Sequence, residues 1–244
     1  SLVPLYTFFI LKRKLNIYDS GAIAAAYGSV SAVTFVTAVT FLEVQNIPFS
    51  GHMVAVMALM EAPAIIVGVI LIRAFVGNEG NQQQSLKHIV MHSITNGSVW
   101  LITGSLIIGY VASEQHAQGI KPFTTDLFKG FLAIFLLDMG ITSGRKLKDF
   151  FQAGWFAAAF AVFIPLINGS ITAILSGMFI EDMGNRFILA VLAASASYIA
   201  VPAAMKIAVP KANPGLFIPM SLAVTFPFNI TFGMPIYLMI VQLF

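Results

Sequence analysis

Eight apolar stretches punctuate this chain, at roughly 2–11, 19–41, 52–76, 88–112, 127–142, 151–178, 184–208 and 215–242. A helix needs about 20 apolar residues to cross a hydrocarbon core of about 30 Å. The alternation that marks barrel strands is missing, so the pattern predicts α-helical membrane spans. The first stretch is too short to cross unaided, and the fourth is the least apolar.

The polar connections support this division. Lys12, Arg13 and Lys14 follow the first stretch, Arg73 and Lys87 the third, Arg145, Lys146 and Lys148 the fifth, and Lys206 and Lys211 the seventh. The alternate connections carry Glu43, then Glu114, Lys121, Asp126 and Lys129, then Glu181, Asp182 and Arg186. Positive excess falls on every odd connection, which places those in the cytoplasm and the C-terminus outside.

Two of the stretches are interrupted in a matching way. Gly28, Ser29, Ser31 and Thr34 form a small, hydroxyl-rich cluster inside 19–41, and the next stretch contains Glu61 and Pro63. Ser195, Ala196, Ser197 and Tyr198 form the counterpart inside 184–208, and the next stretch contains Pro227 and Asn229. Pro4 and Pro165 extend the correspondence upstream. Paired interrupted segments in two halves point to a secondary transporter's binding site. The second copy starts near Leu86 and uses five stretches, whereas the first supplies three. The expected organisation is therefore 1–85, the remainder of a first repeat, and 86–244, a second repeat. The N-terminal helices of the first repeat are expected to be missing. An odd number of spans per repeat gives the copies opposite topology, so inverted five-helix repeats are predicted.

Composition agrees with a bilayer setting. The chain is 58% hydrophobic and 9% charged, with a mean hydropathy of +0.89; soluble domains carry roughly 25% charged residues. The formal charge of +3 is small and gives no reason to expect nucleic acid. With no cysteine, thiolate catalysis and cysteine metal sites are excluded. No nucleophile elbow, phosphate loop or dinucleotide glycine pattern occurs, so no enzyme is expected, nor any cofactor beyond a coupling Na⁺.

The clusters carry the candidate chemistry. Pro202 should kink or break its helix, and Gly28 tolerates unwinding. A break frees backbone N–H and C=O groups that lipid cannot satisfy. Freed N–H groups at a half-helix N-terminus attract an anion. Freed carbonyls and the hydroxyls of Ser29, Ser31, Thr34, Ser195 and Ser197 suit a hard cation. Close helix packing alone explains one such cluster; two in matching positions point to a site. Mid-membrane carboxylates mark ion paths or ion pairs. Glu61 is the better cation candidate, whereas Asp138 lies where Arg145 or Lys146 can pair with it. Asp19 reads as a helix cap. Asn229 suits either a cation site or a bridge between helices. His88 and His92 share a helical spacing with no nearby carboxylate and read as interfacial.

The same residues carry a resemblance. Tyr27, Gly28, Val30, Ser31 and Thr34 match the first crossing helix of the sodium-dependent bicarbonate permeases of the SbtA type. Ala193, Ala194, Ser195, Ser197, Ile199 and Pro202 match the second, and Pro210, Ala212, Asn213 and Pro214 match the motif after it. Met139-Gly140 also fits. The chain resembles that family over essentially its whole length. The resemblance implies two inverted five-helix repeats with crossed, broken helices, akin to bile-acid/sodium symporters. It implies a core and a gate domain, Na⁺-coupled bicarbonate uptake across the cell's inner membrane, and a trimeric homo-oligomer. A PII-like regulator docks on a long cytoplasmic loop in cyanobacterial members; here 77–87 is short and glutamine-rich. Tyr198 departs from the pattern, which has Asp there, and Ala196 and Ala200 replace hydroxyl residues.

The functional expectation is Na⁺-coupled symport of a small anion, bicarbonate foremost. Gly28, Ser29, Ser31, Thr34, Ser195, Ala196, Ser197 and Tyr198 would form the anion site. Ser29, Ser31, Glu61, Ser197 and Asn229 would serve the cation. The alternatives are an organic-anion carrier, a cation/proton antiporter using Glu61 or Asp138, and a non-transporting scaffold or sensor.

Overall fold

The computed structural model describes residues 2–76, 97–151 and 154–244. They are almost entirely helical. In chain order the elements are α1 (Leu2–Leu11), α2 (Ile17–Gly28), α3 (Ala32–Val44), α4 (Met53–Val76), α5 (Gly97–Val111), α6 (Glu114–Lys121) and α7 (Phe128–Phe151). They continue as α8 (Trp155–Ser176), α9 (Met183–Ala194), α10 (Ala200–Ala208) and α11 (Pro214–Leu243). Four stretches are long and apolar enough to cross a bilayer: Ile17–Val44, Met53–Val76, Trp155–Ser176 and Pro214–Leu243. The boundary expected at 85/86, and His88 and His92, lie outside the described residues.

The two interrupted stretches are broken. α2 ends at Gly28, Ser29 and Ser31 are extended, and α3 starts at Ala32. α9 ends at Ala194, Ser195 is extended, and α10 starts at Ala200. The second break precedes the position expected from Pro202. That proline sits in the first turn of α10, where its missing N–H has no helical partner to lose.

Packing swaps the half-helices. One apolar core joins α1, α2 and α4 to α10 and the start of α11, through Phe8, Ile23, Ile72, Val201 and Phe217. The other joins α3 to α8, α9 and the end of α11, through Phe35, Leu42, Phe187, Val191 and Tyr237. Each core thus contains one half of each broken helix, and the breaks lie between them. Small residues permit the closest approaches: a Cβ on Gly68 would sit 2.7 Å from the Ala25 Cβ and 2.9 Å from the Gly21 carbonyl. At the cytoplasmic end by the charge reading, Asn16 caps α2 by accepting from the Asp19 N–H at 2.9 Å. The Asp19 carboxylate accepts from Asn16 Nδ2 at 2.6 Å and from the Asn213 N–H at 2.7 Å. Asp19 is therefore a tie between the halves of the chain rather than the cap.

Despite their prolines, the segments that follow the clusters are continuous. α4 runs through Pro63. α11 absorbs its prolines by widening into π-turns at Met220–Thr225 and Asn229–Gly233, which relieve the local clash. α8 runs through Pro165 by another route. Pro165 leaves the carbonyl four residues back, on Ala161, without its helical donor. The Thr225 hydroxyl fills that place at 2.7 Å. Thr225 has one proton, so the Tyr27 hydroxyl, 2.7 Å away, donates to it. Removing the hydroxyl with Thr225→Val should lower stability by about 1–3 kcal/mol, read by chemical denaturation in detergent. In a Pro165→Ala background the ordinary helical bond returns, and the same substitution should cost markedly less; an equal cost in both backgrounds would refute this account of α8.

Candidate functional site

The two breaks touch. The Ser197 N–H donates to the Ala26 carbonyl at 2.8 Å, and the Ser31 N–H donates to Ser195 Oγ at 3.2 Å. Each break therefore fills a vacancy made by the other. The carbonyl of Ala194, last residue of α9, receives Asn229 Nδ2 at 2.8 Å, while Tyr237 donates to Asn229 Oδ1 at 3.0 Å. Ser195 Oγ donates to the Leu192 carbonyl at 2.8 Å. Carbonyls at the negative helix ends are in this way supplied with protein donors.

The positive ends are treated differently. Ser31 Oγ accepts from the Thr34 N–H at 3.2 Å, and Ser197 Oγ accepts from the Val201 N–H at 3.3 Å. These serines cap α3 and α10. Capping leaves the first N–H groups of both half-helices without carbonyls behind them. Ala32 and Ala200, which carry those groups, line a cavity of about 60 Å³ together with Val30, Ser31, Glu61, Ser197, Tyr198 and Ile199. A water-sized sphere needs roughly 10–15 Å³ on this measure, so the space suits a group of about four heavy atoms.

Two wall groups bear on what enters. Glu61 is buried on α4 and faces the cavity; no hydrogen bond or ion pair engages its carboxylate among the described residues. Its carbonyl accepts from Ser29 Oγ at 3.2 Å, which fastens α4 to the first break. Tyr198 is also buried, with its ring edge-on to Phe226 at 5.5 Å between centroids. Its hydroxyl approaches the Ser31 side chain without completing a hydrogen bond and has no partner among the described residues.

Of the residues expected to form the site, Ser31, Glu61, Ser197 and Tyr198 meet on one wall. Ser29, Ser195 and Ala196 are buried in the breaks but do not line the cavity, and Thr34 uses its N–H in the α3 cap. Gly28 serves close packing: a Cβ there would lie 2.1 Å from Pro4 Cγ. Asn229 is fully buried and bridges α9 to α11. Asp138 is exposed on α7 and takes no part. Val30, Ala32, Ile199 and Ala200 also line the cavity and were not among the expected site residues. Their signal was adjacency to the hydroxyl clusters.

Asn229 therefore gives a clean test. Asn229→Ala should destabilise the fold by about 1–3 kcal/mol, by orphaning the Ala194 carbonyl, while leaving the sodium half-saturation of any surviving activity within about twofold. A large rise in that half-saturation without loss of stability would make the amide a cation ligand instead.

No curated protein shows a match to the chain. The sequence profile of the Na⁺-dependent bicarbonate transporter superfamily matches residues 1–242, nearly the whole sequence, and with it both broken helices and the cavity between them. The chain belongs to the Na⁺-dependent bicarbonate transporter superfamily.

Proposed function

We propose that this protein is a secondary transporter of the cell's inner membrane that couples Na⁺ entry to uptake of bicarbonate by alternating access. The observation that carries the reading is the shared cavity. Two half-helix N-termini and a carboxylate that no cation pairs with among the described residues line the same small space. The N-termini favour an anion. Burying Glu61 uncompensated is costly, and a bound cation removes that cost. Each ion thus improves the site for the other, which is the physical content of coupling. The superfamily match favours sodium and bicarbonate among small ions.

In this reading Ser31 and Ser197 hold the α3 and α10 N-termini against the anion and offer oxygen to the cation. Glu61 supplies the compensating charge. A core domain that holds both broken helices moves against a gate domain around the site. Assembly as a homotrimer belongs to the same proposal.

The test is labelled bicarbonate uptake into proteoliposomes, with and without an inward sodium gradient. Uptake should require sodium. Combining Ser31→Ala with Ser197→Ala should reduce it to vesicle leak while the protein still inserts with normal helicity. Glu61→Gln should raise the sodium half-saturation by about tenfold or more. Normal uptake in the double variant would remove the site assignment. Steeply pH-dependent cation flux with no anion requirement would favour an antiporter that uses Glu61 as proton carrier.

A further inference from the structure

The Tyr198 hydroxyl is buried, borders the cavity and has no hydrogen-bond partner among the described residues. Leaving such a group unpaired costs about 1–3 kcal/mol, so its retention calls for a partner from outside the chain. The ring is not free to turn away. It packs edge-on against Phe226 and against Leu222, both on α11, which aims the hydroxyl from a fixed platform.

The remaining wall groups narrow what that partner is. Among the described residues, no lysine, arginine or histidine lines the cavity. An anion there is held by neutral donors: the first N–H groups of α3 and α10, the serine hydroxyls and the phenol. The serine oxygens accept backbone N–H groups and keep their own protons, and the phenol is the stronger acid of the two hydroxyl types. Directional donors in a small space suit an ion with separate oxygen corners better than a spherical one.

We propose that Tyr198 is the specificity donor of this site: its hydroxyl donates to an oxygen of the bound oxyanion and selects oxyanions over halides. This rests on the transport reading above and adds to it the group that distinguishes anions. No covalent step is involved; the proton stays on the phenol.

Tyr198→Phe removes the hydroxyl and keeps the ring against Phe226. In proteoliposomes at saturating sodium, the bicarbonate KM should rise about tenfold or more, the range of a lost hydrogen bond to a charged group. At saturating bicarbonate, the sodium half-saturation should stay within about twofold. Nitrate should compete with bicarbonate in the unmodified protein and much less in the variant, while chloride should compete with neither. An unchanged bicarbonate KM, or a shift confined to sodium, overturns the assignment. A fluorinated tyrosine at position 198 keeps the shape and strengthens the donor. It should lower the bicarbonate KM, and an unaltered KM there counts against the proposal even if the phenylalanine variant does not insert. If the unmodified protein takes up no bicarbonate in response to sodium, the transport reading itself fails and this assignment falls with it.

Discussion

Backbone polar groups inside a bilayer must find partners, and that requirement organises this protein. Breaking two helices at membrane depth frees N–H and C=O groups that hydrocarbon cannot satisfy. The fold answers with an asymmetry. Carbonyls at the two negative helix ends receive donors from the opposite break and from Asn229. Amides at the positive ends are partly capped by serine, and Ala32 and Ala200, the first residues of α3 and α10, line a cavity. The proposed binding site is the space between the breaks, lined by two helix starts and one carboxylate.

The two apolar cores hold this arrangement in place. Each draws one half from each broken helix, so neither break can close into a straight rod without dismantling both cores. Bonds from Ser197 to Ala26 and from Ser31 to Ser195 fix the register between them. The link from Tyr27 through Thr225 to Ala161 extends the same logic into α8 and α11. There a proline creates a vacancy, and a residue of another helix occupies it.

The breaks were legible because their cause is local. Glycine and serine runs inside apolar stretches, repeated in two halves, leave a periodic trace that needs no tertiary knowledge. Ser31, Glu61, Ser197 and Tyr198, singled out from the sequence, line one cavity. The fate of the prolines was not legible, because it depends on distant partners. Pro165 looks the same in sequence whether or not Thr225 stands opposite Ala161, and Pro227 gives no sign that α11 will widen rather than break. Asn229 illustrates the same limit. Its residue type suits a cation site, and its neighbour across the fold, the Ala194 carbonyl, makes it a bridge. Asp19 reads as a cap from its place in the chain, yet its carboxylate reaches Asn213 in the other half.

The central claim is that one pocket between the breaks takes an anion and a cation together. Its most direct measurement is equilibrium binding of labelled bicarbonate to the purified protein across a sodium series, paired with sodium binding across a bicarbonate series. The account predicts that each ion tightens the other by the same factor, as linkage demands of a shared site. Bicarbonate affinity that does not depend on sodium would contradict it.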